Sequence, residues 1–147
     1  MTTPKAATTS KFFSRETEVS IDIKAPAKAV WARLTDAANF PKWNSTVVSI
    51  EGDIALGNTI KLKSTLDPKR TFKLKVKQVE AEKLLVWGDA MGQRTYTLSE
   101  GAGGVTHFTM HEKIGGPFFP LFAKMIPSFD ASFEQYAKDL KKAAEQS

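Results

Sequence analysis

The residues best placed for chemistry are charged and hydroxylated groups on two neighbouring strand-like segments. Arg94 and Tyr96 alternate along the first segment, and Glu112 lies on the second. The Gly-rich stretch between the two segments predicts a hairpin, and we expect a pairing register in which Leu98 lies opposite Thr106. Arg94 then lies diagonally across from Glu112, within reach of long side chains. Because a carboxylate facing an apolar space is costly unless paired, we predict an Arg94–Glu112 ion pair at the margin of a cavity.

Two roles remain open for this ion pair. It is either purely structural, or a polar handle that orients a ligand carboxylate or hydroxyl. If the protein is an enzyme, it needs a general acid or base with a shifted pKa inside the pocket. Glu112 and then Tyr96 are the candidates in that case, and the sequence alone assigns no catalytic residue.

The two histidines are weaker candidates. His107 and His111 fall on the strand face opposite to Phe108 and Met110, so we expect both imidazoles to face solvent. A zinc ion would need three or four converging ligands, and no third ligand motif accompanies them. Nucleophile-elbow, dinucleotide-binding and P-loop motifs are also missing. We therefore expect neither a metal nor a cofactor.

Short strands must position these residues. Seven segments have strand length and alternate apolar with polar residues, and turn-forming residues separate them. These segments are 15–24, 46–51, 58–66, 70–79, 83–88, 93–99 and 105–113. Their short links favour antiparallel pairing, because parallel crossovers need about a dozen residues or more.

A long C-terminal helix is predicted across the concave side of this sheet. Over residues 117–146, apolar residues recur at spacings of three and four, which places them on one helical face. They are Phe118, Phe122, Met125, Phe129, Phe133, Tyr136 and Leu140. Pro127 should kink or break the helix near Ile126.

Two short helices are predicted between the first and second strands. Pro26 suits the first turn of one helix, since its missing N–H is not needed there. Asp36 can cap a second helix over residues 37–40, which Pro41 would end. Residues 1–13 are polar and predict a disordered tail, so residues 14–147 would form one domain.

Composition excludes several classes of protein. The chain has 147 residues and no cysteine, which rules out disulfides and fits a cytoplasmic location. No apolar run approaches ~18 residues, so we expect no integral membrane association. Lysines alternate with apolar residues over 61–77, which is typical of a solvated outer sheet face. The alternative is a surface for anionic lipid, whereas nucleic acid is not expected because aromatic residues and Gly-rich loops do not interleave with the lysines.

Several short motifs resemble the polyketide cyclase/dehydrase and lipid-transport superfamily, also known as SRPBCC or START-related. They are Pro26-Ala27-x-x-Val30-Trp31-x-x-Leu34-x-Asp36, Phe40-Pro41-x-Trp43, Leu85-x-Trp87, Arg94-Thr95-Tyr96-Thr97-Leu98, Gly103-Gly104-Val105-Thr106 and Glu112-x-Ile114-x-Gly116. The resemblance covers about residues 15 to 145 and implies an α+β helix-grip fold, with a seven-stranded curved antiparallel sheet wrapped on a long C-terminal α-helix. Relatives often carry a polar residue, frequently His, where this chain has Met110, which weakens the case for acid–base chemistry.

The leading functional hypothesis is a protein that binds a small hydrophobic ligand, such as a lipid, polyketide or aromatic compound. A curved sheet spanned by one helix leaves a gap between the two, which would hold the ligand. The expected ligand-binding residues are Trp43, Leu62, Leu74, Trp87, Arg94, Tyr96, Phe108, Met110, Glu112, Phe118, Phe122, Met125, Phe129 and Phe133. The alternatives are a polyketide cyclase or dehydratase, and a protein-interaction module that uses the basic sheet face with an unknown partner.

Overall fold

The computed structural model describes residues 3–146 as an open antiparallel sheet with helices on its concave side. The strands are β1 (Ala7–Ser10), β2 (Ser14–Ile23), β3 (Val47–Glu51), β4 (Thr59–Ser64), β5 (Asp67–Glu80), β6 (Leu84–Gly88), β7 (Gly92–Glu100) and β8 (Thr106–Gly115). The helices are α1 (Ala27–Leu34), α2 (Phe40–Trp43), α3 (Phe119–Phe122) and α4 (Asp130–Glu145). The strand order is β1-β2-β8-β7-β6-β5-β4-β3, so the sheet is not closed into a barrel.

The core lies between the concave face of the sheet and α4. Alternate residues of β2 are buried there, including Val19, Ile21 and Ile23. They meet the apolar face of α4, on which Phe133 and Leu140 are fully buried. The α+β helix-grip architecture predicted from the sequence is confirmed, because period-two strands and a period-3.6 helix bury matching apolar surfaces.

Over residues 3–146 the structure has eight strands instead of the predicted seven. The additional strand, β1, lies within the segment for which the sequence predicted a disordered tail. Its side chains are all exposed, so no apolar alternation marks it in the sequence. Backbone pairing with β2 holds it instead, together with a 2.9 Å hydrogen bond from the Ala6 N–H to Glu134. The division of the chain into a tail and one domain from residue 14 stays a prediction.

The second short helix begins where the sequence predicted that it would end. Residues 37–39 form a turn, and α2 starts at Phe40. Pro41 therefore occupies the first helical turn, where its missing N–H costs nothing. The Asp36 carboxylate accepts a 2.8 Å hydrogen bond from the Asn39 side chain and does not cap the helix.

The predicted break at Pro127 is confirmed, but the single apolar face is not. A 3₁₀ turn follows α3, Ile126 is extended, and α4 begins only at Asp130. These changes of backbone geometry interrupt the helical period. As a result Phe118 and Met125 are 69% and 81% exposed, while Phe119 is buried in their place.

Arg15 fixes the broken segment against the sheet. Its guanidinium donates hydrogen bonds to the carbonyl oxygens of Ala123, at 3.0 Å, and Ile126, at 3.2 Å. The same group lies over the Phe119 ring, 5.9 Å from its centroid. One side chain of β2 therefore ties two backbone carbonyls of this segment to the sheet, and one of them, that of Ala123, also accepts the Ile126 N–H of the 3₁₀ turn.

We expect Arg15→Gln to loosen residues 118–126 while leaving the sheet intact. The variant should unfold about 1–2 kcal/mol more easily, because it loses charge-assisted hydrogen bonds to two carbonyls. Hydrogen exchange followed by mass spectrometry should show faster exchange over 118–126. Lys28→Gln, an exposed change on α1, is the control. Unchanged exchange in the Arg15 variant would contradict this account.

Candidate functional site

The candidate site is built on β7 and β8, whose pairing places Arg94 directly opposite Glu112. The predicted register, with Leu98 opposite Thr106, is wrong by two residues, because Leu98 pairs with Phe108. The hairpin is centred one residue further along the chain than assumed: Glu100 pairs with Thr106, and the loop between them contains a 3₁₀ turn over Ala102–Gly104, with Gly103 at a φ of 73°. Because the error is an even number of residues, every side chain keeps its predicted face.

The predicted Arg94–Glu112 ion pair is confirmed. Arg94 Nε donates to Glu112 Oε1 at 2.6 Å, and the two side chains are only 19% and 17% exposed. The guanidinium also lies 5.0 Å from the centroid of the Phe133 ring. Burial alone would lower the pKa of Arg94, but Glu112 and the Tyr96 hydroxyl outweigh it and raise that pKa above its ordinary value. Arg94 is thus a permanent cation at the edge of the core.

A pair of tyrosines continues this polar arrangement into the core. The Tyr136 hydroxyl of α4 donates to the Tyr96 hydroxyl of β7 at 3.1 Å. Burial raises the pKa of Tyr96, although the Arg94 charge opposes the shift. Burial also raises the pKa of Tyr136 well above its ordinary value, and Tyr96 adds to this effect. Both hydroxyls therefore stay protonated at neutral pH and act as hydrogen-bond donors.

Tyr136 is a site residue that the sequence analysis missed. It was recognised on the apolar face of the C-terminal helix but not among the ligand-binding residues. The signal was its hydroxyl, because a buried phenol on an apolar helix face needs a hydrogen-bond partner. We refer to Glu112, Arg94, Tyr96 and Tyr136, in this spatial order, as the polar line.

Aromatic rings pack around the polar line. Tyr96 stacks on Phe108 with centroids 6.2 Å apart, and Trp87 meets Tyr96 edge-on at 5.1 Å. Phe108 and Tyr136 lie nearly parallel at 6.5 Å, so sheet and helix contact each other through these rings. The rings occupy the middle of the space in which the sequence predicted a ligand-sized cavity.

Two buried hydrogen-bond donors lie at the end of α2. Within residues 3–146, Trp43 Nε1 and Asn44 Nδ2 are buried without a hydrogen-bond partner. The Trp43 ring lies 6.2 Å from Tyr136, which brings the end of α2 close to the inner end of the polar line. The side-chain oxygen of Asn44 is occupied by the backbone and hydroxyl of Thr46. A buried N–H group without an acceptor lowers the stability of the fold, and it can donate a hydrogen bond to an oxygen atom of a ligand.

The predicted ligand-binding residues divide into two groups. Those that face the interior are Trp43, Leu62, Leu74, Trp87, Arg94, Tyr96, Phe108, Met110, Glu112, Phe129 and Phe133. Phe122 is half-buried. Phe118 and Met125 point outward, so the prediction that these two residues bind the ligand is wrong. That the inward group lines a ligand cavity stays a prediction.

Two pockets lie outside the space beneath α4. One, of about 360 Å³, is lined by residues that include Asp36, Ile50 and Asp53. The other, of about 560 Å³, opens beside Met91 and Lys113 at the end of the sheet where β7 begins. Neither contains a residue of the polar line.

Both histidines lie on the outer sheet face, as predicted. His107 is hydrogen-bonded to Asp22 at 2.7 Å, and His111 to Glu16 at 2.9 Å. Each pair joins β8 to β2 and has a local structural explanation. Over residues 3–146, no group of three or more His, Asp or Glu side chains could hold a metal ion. No helix in this range is long and apolar enough to cross a bilayer.

An open, curved antiparallel sheet packed against a C-terminal helix is the architecture of START-like folds. The chain belongs to the family described as polyketide cyclase/dehydrase and lipid transport, whose model matches residues 14–145. Membership supports a role in hydrophobic ligand binding or cyclisation. Comparison with curated proteins gave no match.

Solved structures share the fold at low sequence identity. A conserved protein of unknown function, EF2215 from Enterococcus faecalis, is similar with a TM-score of 0.70 and 18% identity, over 96% of this chain and 77% of that one. A START superfamily protein from Mycobacterium smegmatis gives 0.65 and 15%, over 89% and 97%. DynU16, from the dynemicin biosynthetic locus, gives 0.66 and 20%, over 88% and 47%. At these identities the likeness establishes the fold alone.

The tyrosine pair gives a direct spectroscopic prediction. The chain has two tyrosines, and both belong to the polar line. Below a pH of about 10, folded and unfolded chains are both protonated at these groups, so stability is unaffected. Above it the unfolded chain loses these protons first, so stability should fall as pH rises.

The measurement is tyrosinate absorbance during an alkaline titration. We expect the native protein to ionise its tyrosines only as it unfolds, whereas the chain in denaturant should titrate near a pH of about 10. The Tyr96→Phe/Tyr136→Phe double variant, followed by circular dichroism, should lose stability less steeply over the same range. A native protein that titrates near the ordinary value would contradict the buried pair.

The ion pair gives a second prediction. Glu112→Gln leaves the Arg94 cation without its carboxylate, so we expect about 1–3 kcal/mol of destabilisation, less than for a fully buried pair because both side chains keep some solvent contact. Arg94→Met combined with Glu112→Gln should recover part of that loss. Urea unfolding of the two single variants and the double variant gives the coupling. Strictly additive effects would show that the pair contributes no interaction.

Proposed function

We propose that the protein binds a small, mostly apolar ligand carrying a hydrogen-bond acceptor, between the sheet and α4. The observation that carries this proposal is the polar line inside an aromatic core. A core needed only for stability would be less costly without it, because buried polar groups lose their hydration. The Tyr136 ring at the end of the line contacts the Trp43 ring, whose Nε1 is buried and unpaired, and the Tyr96 hydroxyl retains its own proton to donate.

The ligand class follows from the groups that surround the polar line. Tyr96, Phe108 and Tyr136 lie face to face, so a ligand that enters between them would contact ring faces, which favour planar or polycyclic apolar groups. Burial of such groups contributes ~25 cal/mol per Å². Carbonyl or hydroxyl oxygens on the ligand could accept from the tyrosine hydroxyls, and a carboxylate could meet Arg94. An aromatic or polyketide-like compound meets these requirements, as a lipid does in part.

Binding requires that part of the interior rearrange, because rings occupy the space beneath α4. The mobile element in this proposal is the segment between α3 and α4. It is a 3₁₀ turn followed by extended residues, and Phe129 at its end stacks on Phe133 at 5.9 Å. Displacement of Phe129 and Phe133 would uncover Arg94 first and Tyr96 next. The ligand would then lie along the polar line.

A cyclase or dehydratase activity is the second candidate, and the site favours it less. Such an enzyme needs a group that can take a proton. The Glu112 carboxylate is held by Arg94 at 2.6 Å, and the raised pKa of Tyr96 keeps its phenol protonated. The polar line therefore supports hydrogen-bond donation better than proton abstraction. Loss of turnover in Glu112→Gln, with ligand binding retained, would reverse this preference.

The expected cytoplasmic location and the third hypothesis, a protein partner for the basic sheet face, both stay predictions.

Purification from the native host followed by native mass spectrometry addresses the ligand directly. We expect a co-purifying mass that is released on denaturation. Its absorbance spectrum would show whether the compound is aromatic.

Matched probes test the role of the tyrosine hydroxyls. We expect 2-naphthol to bind with a dissociation constant in the range of about 1 μM to 1 mM, and more tightly than naphthalene. Tyr96→Phe should weaken 2-naphthol binding about 3- to 10-fold, because one hydrogen bond is worth about 1 kcal/mol, and should leave naphthalene binding unchanged. Fluorescence or calorimetric titration measures both constants.

Two comparisons control this experiment. Tyr136→Phe removes the other hydroxyl on the same line, and Leu56→Ser changes an exposed side chain elsewhere. The first should resemble Tyr96→Phe and the second the wild type. If neither probe binds, or if both tyrosine variants bind 2-naphthol as tightly as the wild type, the proposed site is wrong.

A further inference from the structure

Large apolar side chains cluster in solvent at one end of the sheet. We call this region the tip and define it as residues 11–13, 89–92 and 116–126. Its most exposed apolar residues are Phe12, Phe13, Phe118, Leu121 and Met125, with Leu121 at 80% exposure and Phe12 at 73%. Contiguous apolar surface of this kind is uncommon on proteins that have no partner for it.

Backbone hydrogen bonds hold the three parts of the tip together. The Gly116 N–H donates to the Phe13 carbonyl at 3.1 Å, and the Gly115 N–H donates to the Met91 carbonyl at 2.9 Å. Arg15 binds the far end of the third part through Ala123 and Ile126, as described above. The Phe12 and Phe13 rings also contact each other, with centroids 4.7 Å apart. The exposed side chains therefore lie on three connected segments at one end of the sheet.

The segment over 118–125 is apolar on both sides. Phe119 is buried and Phe122 is half-buried, so these two rings already satisfy the packing of the segment against the sheet. Phe118, Leu121 and Met125 recur at spacings of three and four on the other side, where nothing within residues 3–146 covers them. Packing of the core does not account for this second apolar face.

Exposed lysines surround the apolar surface. Lys11, Lys113 and Lys124 are exposed and form no ion pair within residues 3–146. Lys77 joins Lys113 in the wall of the 560 Å³ pocket beside Met91. The tip therefore presents an apolar centre with a cationic rim.

Glu112 is neutralised by Arg94, and the four lysines of the rim outnumber the three other carboxylates near the tip, which keep their charge. Glu16 is bonded to His111, and Asp89 accepts two backbone N–H groups of its own turn at 2.9 Å. Glu112 is held by Arg94, and Asp130 by the Thr8 hydroxyl.

We propose that the tip docks onto the surface of an anionic lipid membrane. Phe12, Leu121 and Met125 would enter the boundary between headgroups and acyl chains, while the lysines would lie against anionic headgroups. Apolar insertion and lysine attraction add together in such peripheral binding. Docking in this orientation places the break before α4 next to the bilayer. The proposal does not depend on ligand binding, since it is tested on the protein and vesicles alone.

Charge distinguishes this occupant from a second copy of the chain. In a twofold dimer the same surface meets itself, so the lysine rims of the two copies would oppose each other. Like charges that face each other across an interface oppose association. An anionic bilayer is complementary to both the apolar centre and the rim.

Co-sedimentation with vesicles tests the proposal. We expect partition onto mixed phosphatidylcholine–phosphatidylglycerol vesicles, little onto phosphatidylcholine alone, and weakening with added salt. The Phe12→Ser/Leu121→Ser/Met125→Ser variant should bind the anionic vesicles at least about 10-fold less. Lys11→Glu combined with Lys124→Glu should also bind at least about 10-fold less, because both charges reverse near the surface.

Controls separate docking from misfolding and from general charge. Leu56→Ser removes an exposed leucine toward the β3 edge, and Lys28→Glu reverses an exposed lysine on α1; both should bind vesicles like the wild type. All variants change exposed residues, and their circular dichroism should match the wild type. Equal vesicle binding by the wild type and the triple variant would overturn the proposal. So would a wild-type dimer in light scattering that the triple variant does not form.

Discussion

The concave face of the sheet is apolar and must be covered, and the rest of the structure depends on how α4 covers it. A helix of 16 residues is about 24 Å long, at ~1.5 Å per residue, and so spans about five strands spaced ~4.8 Å apart. The short helices α1 and α2 cover part of the remainder through Val30, Leu34 and Phe40. The chain leaves β8 at one end of the sheet and must turn back before α4 can begin. The break at Pro127 provides that turn, and it also determines which side chains the preceding segment exposes.

The polar line and the tip are connected by this geometry. Glu112 lies three residues before Gly115, where β8 ends at the tip, and the line runs from there through Arg94 to Tyr96 and Tyr136. A ligand that arrives at the tip would meet a cation first and hydroxyl donors next. The polar line makes the core less stable than a fully apolar core would be. In return it offers a ligand a charged contact near the surface and hydrogen-bond donors further inside. Family membership agrees with a hydrophobic ligand, and the polar groups are the basis for the class of ligand proposed above.

Much of the fold could be predicted because its signals are local. Alternation identified the seven strands β2 to β8, and Pro127 identified the helix break. The strand β1 could not be found, since its exposed side chains carry no pattern and hydrogen bonds to distant parts of the chain place it. The Arg94–Glu112 pair was predicted because face parity survives a two-residue register error. Tyr136 and the exposure of Phe118 and Met125 depend on long-range packing and on a 3₁₀ turn, neither of which spacing alone reveals.

The strand β1 has a consequence for the edge of the sheet. It buries none of its own side chains and is held by its pairing with β2 and by contacts of Ala6 and Thr8 with the start of α4. Its release would cost little apolar contact but would leave β2 as an unpaired edge, with free N–H and C=O groups. At high protein concentration, the released strand of one molecule could then pair with β2 of another. Strand exchange of this kind would link molecules without unfolding either core.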